Sequence, residues 1–202
     1  VQNSQHDGIH TFHVGKNARV RYVERHYGEG DGMGENIMNP TTVVEMDEDS
    51  YLEMETTQIK GVDSTVRTTN AKLGPRATLI IREKVMTHGK QLAKSDFTVD
   101  LNGEDCHTNV ISRSVARDQS HQVFLARING NARCYGHSEC DAIIMDQGVV
   151  AAIPEVTANC VDASLVHEAA IGKIAGDQLL KLETLGLSPE EAEECILKGF
   201  LA

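Results

Sequence analysis

The chain has 202 residues, a formal net charge of −11 and 40% hydrophobic residues, but only 4% aromatic residues and no Trp. That length suits one domain, or one with a small terminal appendage, whose core rests on Val, Ile, Leu, Met and Ala. The acidic balance and the scarcity of rings exclude nucleic acid and anionic membrane surfaces as leading partners, because those need clustered Lys and Arg or a stacking platform.

In chain order, the start reads Val1-Gln-Asn-Ser-Gln-His-Asp, without the basic and apolar regions of a signal peptide. No apolar run anywhere reaches membrane-span length, so a cytoplasmic protein is expected. His6, His10, His13 and His26 fit no coordination spacing and predict a solvated segment. Gly28-Glu-Gly-Asp-Gly-Met-Gly looks like a phosphate loop, yet Glu29 and Asp31 repel phosphate and no Lys-Ser/Thr follows, so a turn is the better reading. There is no Walker A sequence, and no bound nucleotide is expected in this chain.

From about Thr41 to Ala163 the sequence reads as short strands. Thr41-Thr-Val-Val-Glu-Met, Tyr51-Leu-Glu-Met-Glu-Thr-Thr-Gln-Ile, Ala77-Thr-Leu-Ile-Ile-Arg-Glu-Lys-Val-Met and His121-Gln-Val-Phe-Leu-Ala-Arg-Ile are rich in β-branched residues, and Gly, Asn or Asp punctuates the gaps. No amphipathic helix separates them, which disfavours a doubly wound sheet and leaves a sandwich, a barrel or a β-solenoid. No strict sequence repeat chooses among the three.

The last forty residues change character. Ser188-Pro-Glu-Glu is a capping box with Pro at the first helical position, Gly186 stops a preceding helix, and Ala192, Cys195, Ile196 and Phe200 share one face. Helices are predicted over roughly 177–185 and 189–200, in a terminal segment 164–202 that follows a β domain 1–163. Such a pair either caps the open end of the β domain or meets a partner.

Five cysteines, at 106, 134, 140, 160 and 195, are odd in number and irregularly spaced, with no Cys-x-x-Cys. They predict reduced thiols rather than a disulfide framework, zinc ribbon or redox pair. A lone Cys in a β core is most often a small buried hydrophobe. Cys140 followed by His167 and Glu168 nevertheless unites thiol, imidazole and carboxylate, the ligand types of soft and borderline metals. His137, three residues before Cys140, is a secondary candidate, since a strand points the two to opposite faces. Taken alone, the set is open to a stand-alone zinc or iron metalloprotein or metalloenzyme.

Asp105-Cys-His-Thr-Asn-Val-Ile-Ser-Arg-Ser, Asn131-Ala-Arg, Glu139-Cys-Asp-Ala-Ile-Ile-Met, Pro154, His167-Glu-Ala, Gly172-Lys-Ile, Gly176-Asp-Gln-Leu, Leu185-Gly-Leu-Ser-Pro-Glu-Glu-Ala and Gly199-Phe, in this order and spacing, resemble the SufB/SufD family. The likeness is dense from about residue 100 to the end and weaker upstream. It implies a right-handed parallel β-helix with a C-terminal helical segment, and a non-catalytic scaffold subunit of the SUF machinery for iron–sulfur cluster assembly.

The resemblance further implies a transient iron–sulfur cluster and a pairing of two scaffold subunits, as a homodimer or with a SufB/SufD-type paralogue. It also implies a sulfur donor protein and a SufC-like ABC-type ATPase docked on the helical segment, here through Gln178, Leu179, Leu182, Ile196 and Phe200. Cys140 matches the cysteine of SufB-type members that receives sulfur and holds the nascent cluster. His167 and Glu168 match their His-Glu pair, but Val166 stands where those members commonly carry an acidic residue. The chain is also shorter than the family pattern, without its long N-terminal region.

Overall fold

The computed structural model describes residues 4–27 and 36–202, so the Gly28–Gly34 stretch lies outside the described residues. Among the described residues the chain winds as a parallel β-solenoid of six rungs. The first rung holds β1 (Ser4–His6), β2 (Ile9–Val14) and β3 (Arg19–Tyr27), and the second β4 (Asn36–Met38), β5 (Thr41–Met46) and β6 (Tyr51–Lys60). The third holds β7 (Ser64–Leu73) and β8 (Thr78–Thr87), and the fourth β9 (Leu92–Leu101) and β10 (Cys106–Ala116). The fifth holds β11 (His121–Gly130) and β12 (Cys134–Ile144), and the sixth β13 (Val149–Ala158) and β14 (Ala163–Gly172). Two helices, α1 (Gly176–Thr184) and α2 (Pro189–Phe200), close the chain.

Each rung contributes to two sheets. The first sheet runs β1-β4-β7-β9-β11-β13, with β2 and β5 joined beside it, and the second runs β14-β12-β10-β8-β6-β3. From the second rung onward, partners on neighbouring rungs lie 27 to 29 residues apart, as in Asp49 and Arg76, Asn109 and His137, and Glu83 and Ser112, while the first rung is offset from the second by 32, as in Ser4 and Asn36. That repeat is structural and not textual, which is why the sequence shows no strict motif.

The corners explain the punctuation. Asn17, Asp49, Arg76 and Asp105 adopt positive φ (59°, 58°, 53° and 59°) at successive corners, a conformation that Asn and Asp tolerate well. Arg76 is held there by Asp49, at 2.7 and 2.9 Å, and by Glu48. At the opposite corner Asp118 accepts from the Gly89 N–H (2.7 Å) and Asp146 from the Asp118 N–H (3.2 Å), one rung capping the next. Asn102, Asn131 and Asn159 form a side-chain ladder with 2.7 Å steps. Gly103 is fixed by crowding, since a Cβ there would lie 2.1 Å from the Gly74 carbonyl carbon.

The interior divides in two. Toward one corner it is apolar: Val44, Leu52, Leu73, Leu79, Ile81, Phe97, Val99, Leu101, Val110 and Ile128 are buried together. Toward the other it is polar. Glu24, Thr56, Glu83, Ser112 and Cys140 stand in register on the inner face of successive strands. Arg67 Nη1 donates to Glu24 (2.8 Å), and Ser95 and Ser112 donate to the two oxygens of Glu83 (2.7 and 3.0 Å). Burial pushes Glu24 up, but hydrogen bonds from His26 and Arg67 outweigh it and bring its pKa down to about 2. Glu83 is fully enclosed, and burial raises its pKa above the ordinary 4.5 despite Ser95, Arg67 and Ser112.

The N-terminal histidines expected on a solvated segment lie on strands of the first rung, His6 on β1, His10 and His13 on β2 and His26 on β3, with His6 and His13 exposed and His10 and His26 half-buried. One boundary is corrected. The predicted helices match α1 and α2 closely, but β14 carries the solenoid to Gly172, so the 164–202 segment opens as a strand. On α2 the buried residues are Ala192 and Leu197, whereas Cys195 is exposed.

A carboxyl group whose pKa is raised by folding weakens the folded state as it ionises. Glu83→Gln is therefore expected to gain stability relative to the parent as pH rises from about 4.5 toward the raised folded value. A difference of roughly 1–3 kcal/mol is expected, the scale of an imperfectly compensated buried polar group. Urea unfolding of both proteins across that pH range checks it; a pH-independent difference counts against a strained Glu83.

Candidate functional site

The period-2 alternation of strands decides where each candidate side chain points. On β12 the residues Cys134, Gly136, Ser138, Cys140 and Ala142 face the interior, while Tyr135, His137, Glu139 and Asp141 face outward. β14 lies in register beside it, with Ser138 opposite His167, Glu139 opposite Glu168 and Cys140 opposite Ala169. Cys140 and His167 thus share the inner face, and His137 and Glu168 share the outer one. Within one chain the four candidates do not converge on a single ion, which removes the geometric basis for a mononuclear enzyme site built on Cys140, His167 and Glu168 together.

On the inner face, Cys140 is fully buried between Ser112 on β10 and Ala169 on β14. Burial, with Glu83 and Asp141 adding negative charge, pushes its pKa up to about 12. In the isolated chain the thiol is therefore neutral at physiological pH, and its reactivity depends on a metal or a cationic group arriving beside it. His167 Nδ1 is 2.7 Å from the Ser138 hydroxyl. Burial and the neighbouring His137 lower the His167 pKa against the opposing pull of Glu168, so the imidazole is favoured in its neutral, ligating form. β14 ends the second sheet, so His167 lies on the open last rung and Cys140 one rung behind it, beneath β14.

On the outer face, His137 Nδ1 lies 2.9 Å from Asn109 Oδ1, and its Nε2 lies 3.3 Å from Glu168. Glu139 completes a group whose ligand atoms all lie within 4.8 Å of one another. Burial and Asp141 raise the Glu139 pKa. Sequence reasoning missed Glu139, Ser138 and Asn109. The His137-x-Glu139 spacing, which places both on one face of a strand, was the available signal for Glu139; the other two emerge only once register brings β10, β12 and β14 together.

The remaining thiols fit a packing role unevenly: Cys106 and Cys134 are buried on adjacent rungs, Cys160 is partly covered and Cys195 is exposed. Burial pushes Cys106 up to about 11. His107 faces outward and stacks on Tyr135 with ring centroids 4.9 Å apart.

On the helical pair, α1 buries no residue, with Gln178 exposed and Leu179 and Leu182 half-buried. α2 buries Ala192 and Leu197 and is tied to the solenoid by an ion pair from Arg117 to Glu193 at 2.8 Å, beside a cavity that Leu197 lines with Ile59 and Met86. Ile196 and Phe200 are half-buried. Among the described residues no helix is long and apolar enough to cross a membrane.

The family model described as "SUF system FeS cluster assembly, SufBD core domain" matches residues 1–200. A SufBD-family iron–sulfur cluster assembly protein of Methanocaldococcus jannaschii is 33% identical, with 93% of this chain aligned to 60% of that protein. A SufBD-family protein of Archaeoglobus fulgidus is 29% identical over 97% of this chain and 52% of its own length. One from Methanothermobacter thermautotrophicus is 26% identical over all of this chain and 49% of its own. The chain thus spans half to three-fifths of these relatives, and its six-rung solenoid with two terminal helices corresponds to the core that the family model describes. The chain belongs to the SufBD family.

Proposed function

We propose that this chain is a non-catalytic scaffold for iron–sulfur cluster assembly, with Cys140 as the residue that accepts sulfur and ligates iron and His167 as an auxiliary ligand. The observation that carries the reading is the placement of Cys140 and His167 on the same inner face of the last two strands of the second sheet, two register positions apart, with His167 opposite Ser138 and Cys140 opposite Ala169. Thiolate with imidazole is a set that holds a cluster while leaving it labile, which suits a protein that passes its cluster on. The high thiol pKa supports loading that is coupled to deprotonation by an incoming iron ion.

Two partners complete the proposal. A second scaffold subunit, a further copy or a paralogue, pairs through the sixth rung, where β13 and β14 each present an unpaired strand edge. Ile153, Val156, Val161 and Ile171 are exposed there. An ABC-type ATPase docks on α1 and α2, to which the half-buried Leu179, Leu182, Ile196 and Phe200 and the exposed Gln178 contribute. Sulfur reaches Cys140 from a donor protein.

Anaerobic reconstitution with iron and sulfide is expected to give charge-transfer absorbance in the parent and none in Cys140→Ser, with thermal stability little changed. His167→Ala should retain part of the absorbance and lose iron to a chelator about tenfold faster. Full cluster content in Cys140→Ser reduces that residue to core packing.

Light scattering at micromolar concentration is expected to show a dimer, and a lysine at Val156 on the exposed rung should shift it to monomer. Deleting residues 176–202 should abolish co-purification with the ATPase; a complex that survives the deletion places the docking surface elsewhere.

A further inference from the structure

We propose that His137, Glu139 and Glu168 form a binding site for one divalent first-row transition-metal ion on the outer face of the second sheet, separate from the Cys140 thiol. The three donors come from two adjacent strands, and one ligand atom from each lies within 4.8 Å of the other two. An ion with bonds of about 2.0–2.2 Å needs its donors about 3–3.5 Å apart, so closing the site takes only small side-chain adjustments. The His137 side chain is 14% exposed and Glu168 67%, which leaves a supported base and an open mouth.

Two features distinguish this group from an ordinary surface cluster of acids. First, Asn109 Oδ1 can only accept, so at 2.9 Å it fixes the proton of a neutral His137 on Nδ1 and aims the Nε2 lone pair at the carboxylates. An oxygen acceptor orienting a ligating imidazole through its other nitrogen is the usual support of a metal-binding histidine. Second, that orientation points Nε2 at Glu168 Oε2, 3.3 Å away, with Glu139 in register beside Glu168. A cation bound there takes the place of any proton shared between imidazole and carboxylate, and one imidazole with two carboxylates selects Fe(II), Mn(II) or Zn(II) over thiophilic ions. The ion also ties the terminal strand β14 to β12. On the cluster-assembly reading, on which this last step alone rests, the resident ion is ferrous iron held on the strand that bears the acceptor thiol.

The test is anaerobic calorimetry and Mn(II) electron paramagnetic resonance on the whole chain, since Mn(II) disfavours thiolate. One Mn(II) per chain is expected, and it should raise the melting temperature. Glu139→Gln and His137→Ala should each weaken binding at least tenfold, and Asn109→Ala about tenfold through misorientation of His137. Cys140→Ser should bind as the parent does. Binding weaker than about 1 mM, unchanged binding in Glu139→Gln, or loss of Mn(II) in Cys140→Ser overturns the site. Fe(II) titration and cluster reconstitution of the same proteins separate the two proposals. A chain that binds Fe(II) through the triad yet forms no cluster keeps the metal site and refutes the scaffold, and a chain that forms clusters without binding at the triad does the reverse.

Discussion

The parallel register of the second sheet is the constraint on which everything else depends. Each strand pairs with one a full turn away, 32 residues between β3 and β6 and 27 to 29 beyond, so residues on successive rungs stack in columns and the inward or outward parity of one fixes that of its neighbours. A one-residue slip of β14 against β12 would turn His167 outward and Glu168 inward, exchanging the two faces of the site. The corner residues hold that register. Positive φ at Asn17, Asp49, Arg76 and Asp105, the absence of room for a side chain at Gly103 and the asparagine ladder each lock one rung onto the next.

The interior is an unusual mixture. Beside the apolar cluster, the interior also encloses Glu24, Arg67, Glu83, Ser95 and Ser112. Arg67 lies between two carboxylates, 2.8 Å from Glu24 and 3.9 Å from Glu83, which offsets the cost of enclosing three charges. The compensation is incomplete: among the described residues Arg67 Nη2 and Thr56 Oγ1 are buried without a hydrogen-bond partner. Cys140 ends this polar column, so its environment is one of confined negative charge and hydroxyls rather than of hydrocarbon alone.

Much of the architecture was legible in the residues. The β-branched runs marked β5, β6, β8 and β11, and the Ser188 capping box gave α2 its first residue. Strand composition alone left sandwich, barrel and solenoid open, because the 27–29-residue repeat is carried by parity and corner geometry rather than by recurring letters; the family resemblance made the choice. The β domain 1–163 took in the first rung, but its individual strands were not picked out because the histidines and charged residues of β2 and β3 weaken the alternation signal. In the site, Cys140, His137, His167 and Glu168 were identified by type, and the opposite facing of His137 and Cys140 follows from strand parity. Glu139, Ser138 and Asn109 were not identified, because long-range register decides which polar residues on different strands become neighbours.

Rung-by-rung construction also makes stability local. In a solenoid each coil is held only by those beside it, so protection against hydrogen exchange is greatest in the middle and falls toward the ends. The sixth rung has a neighbour on one side only, and most of its residues are exposed. Ala169 is the register partner that covers Cys140 from that side. Access to the thiol is then governed by fraying of one terminal strand, a subglobal opening that leaves the five preceding coils intact, so whatever clamps or frees β14 sets the rate at which Cys140 meets its reactants.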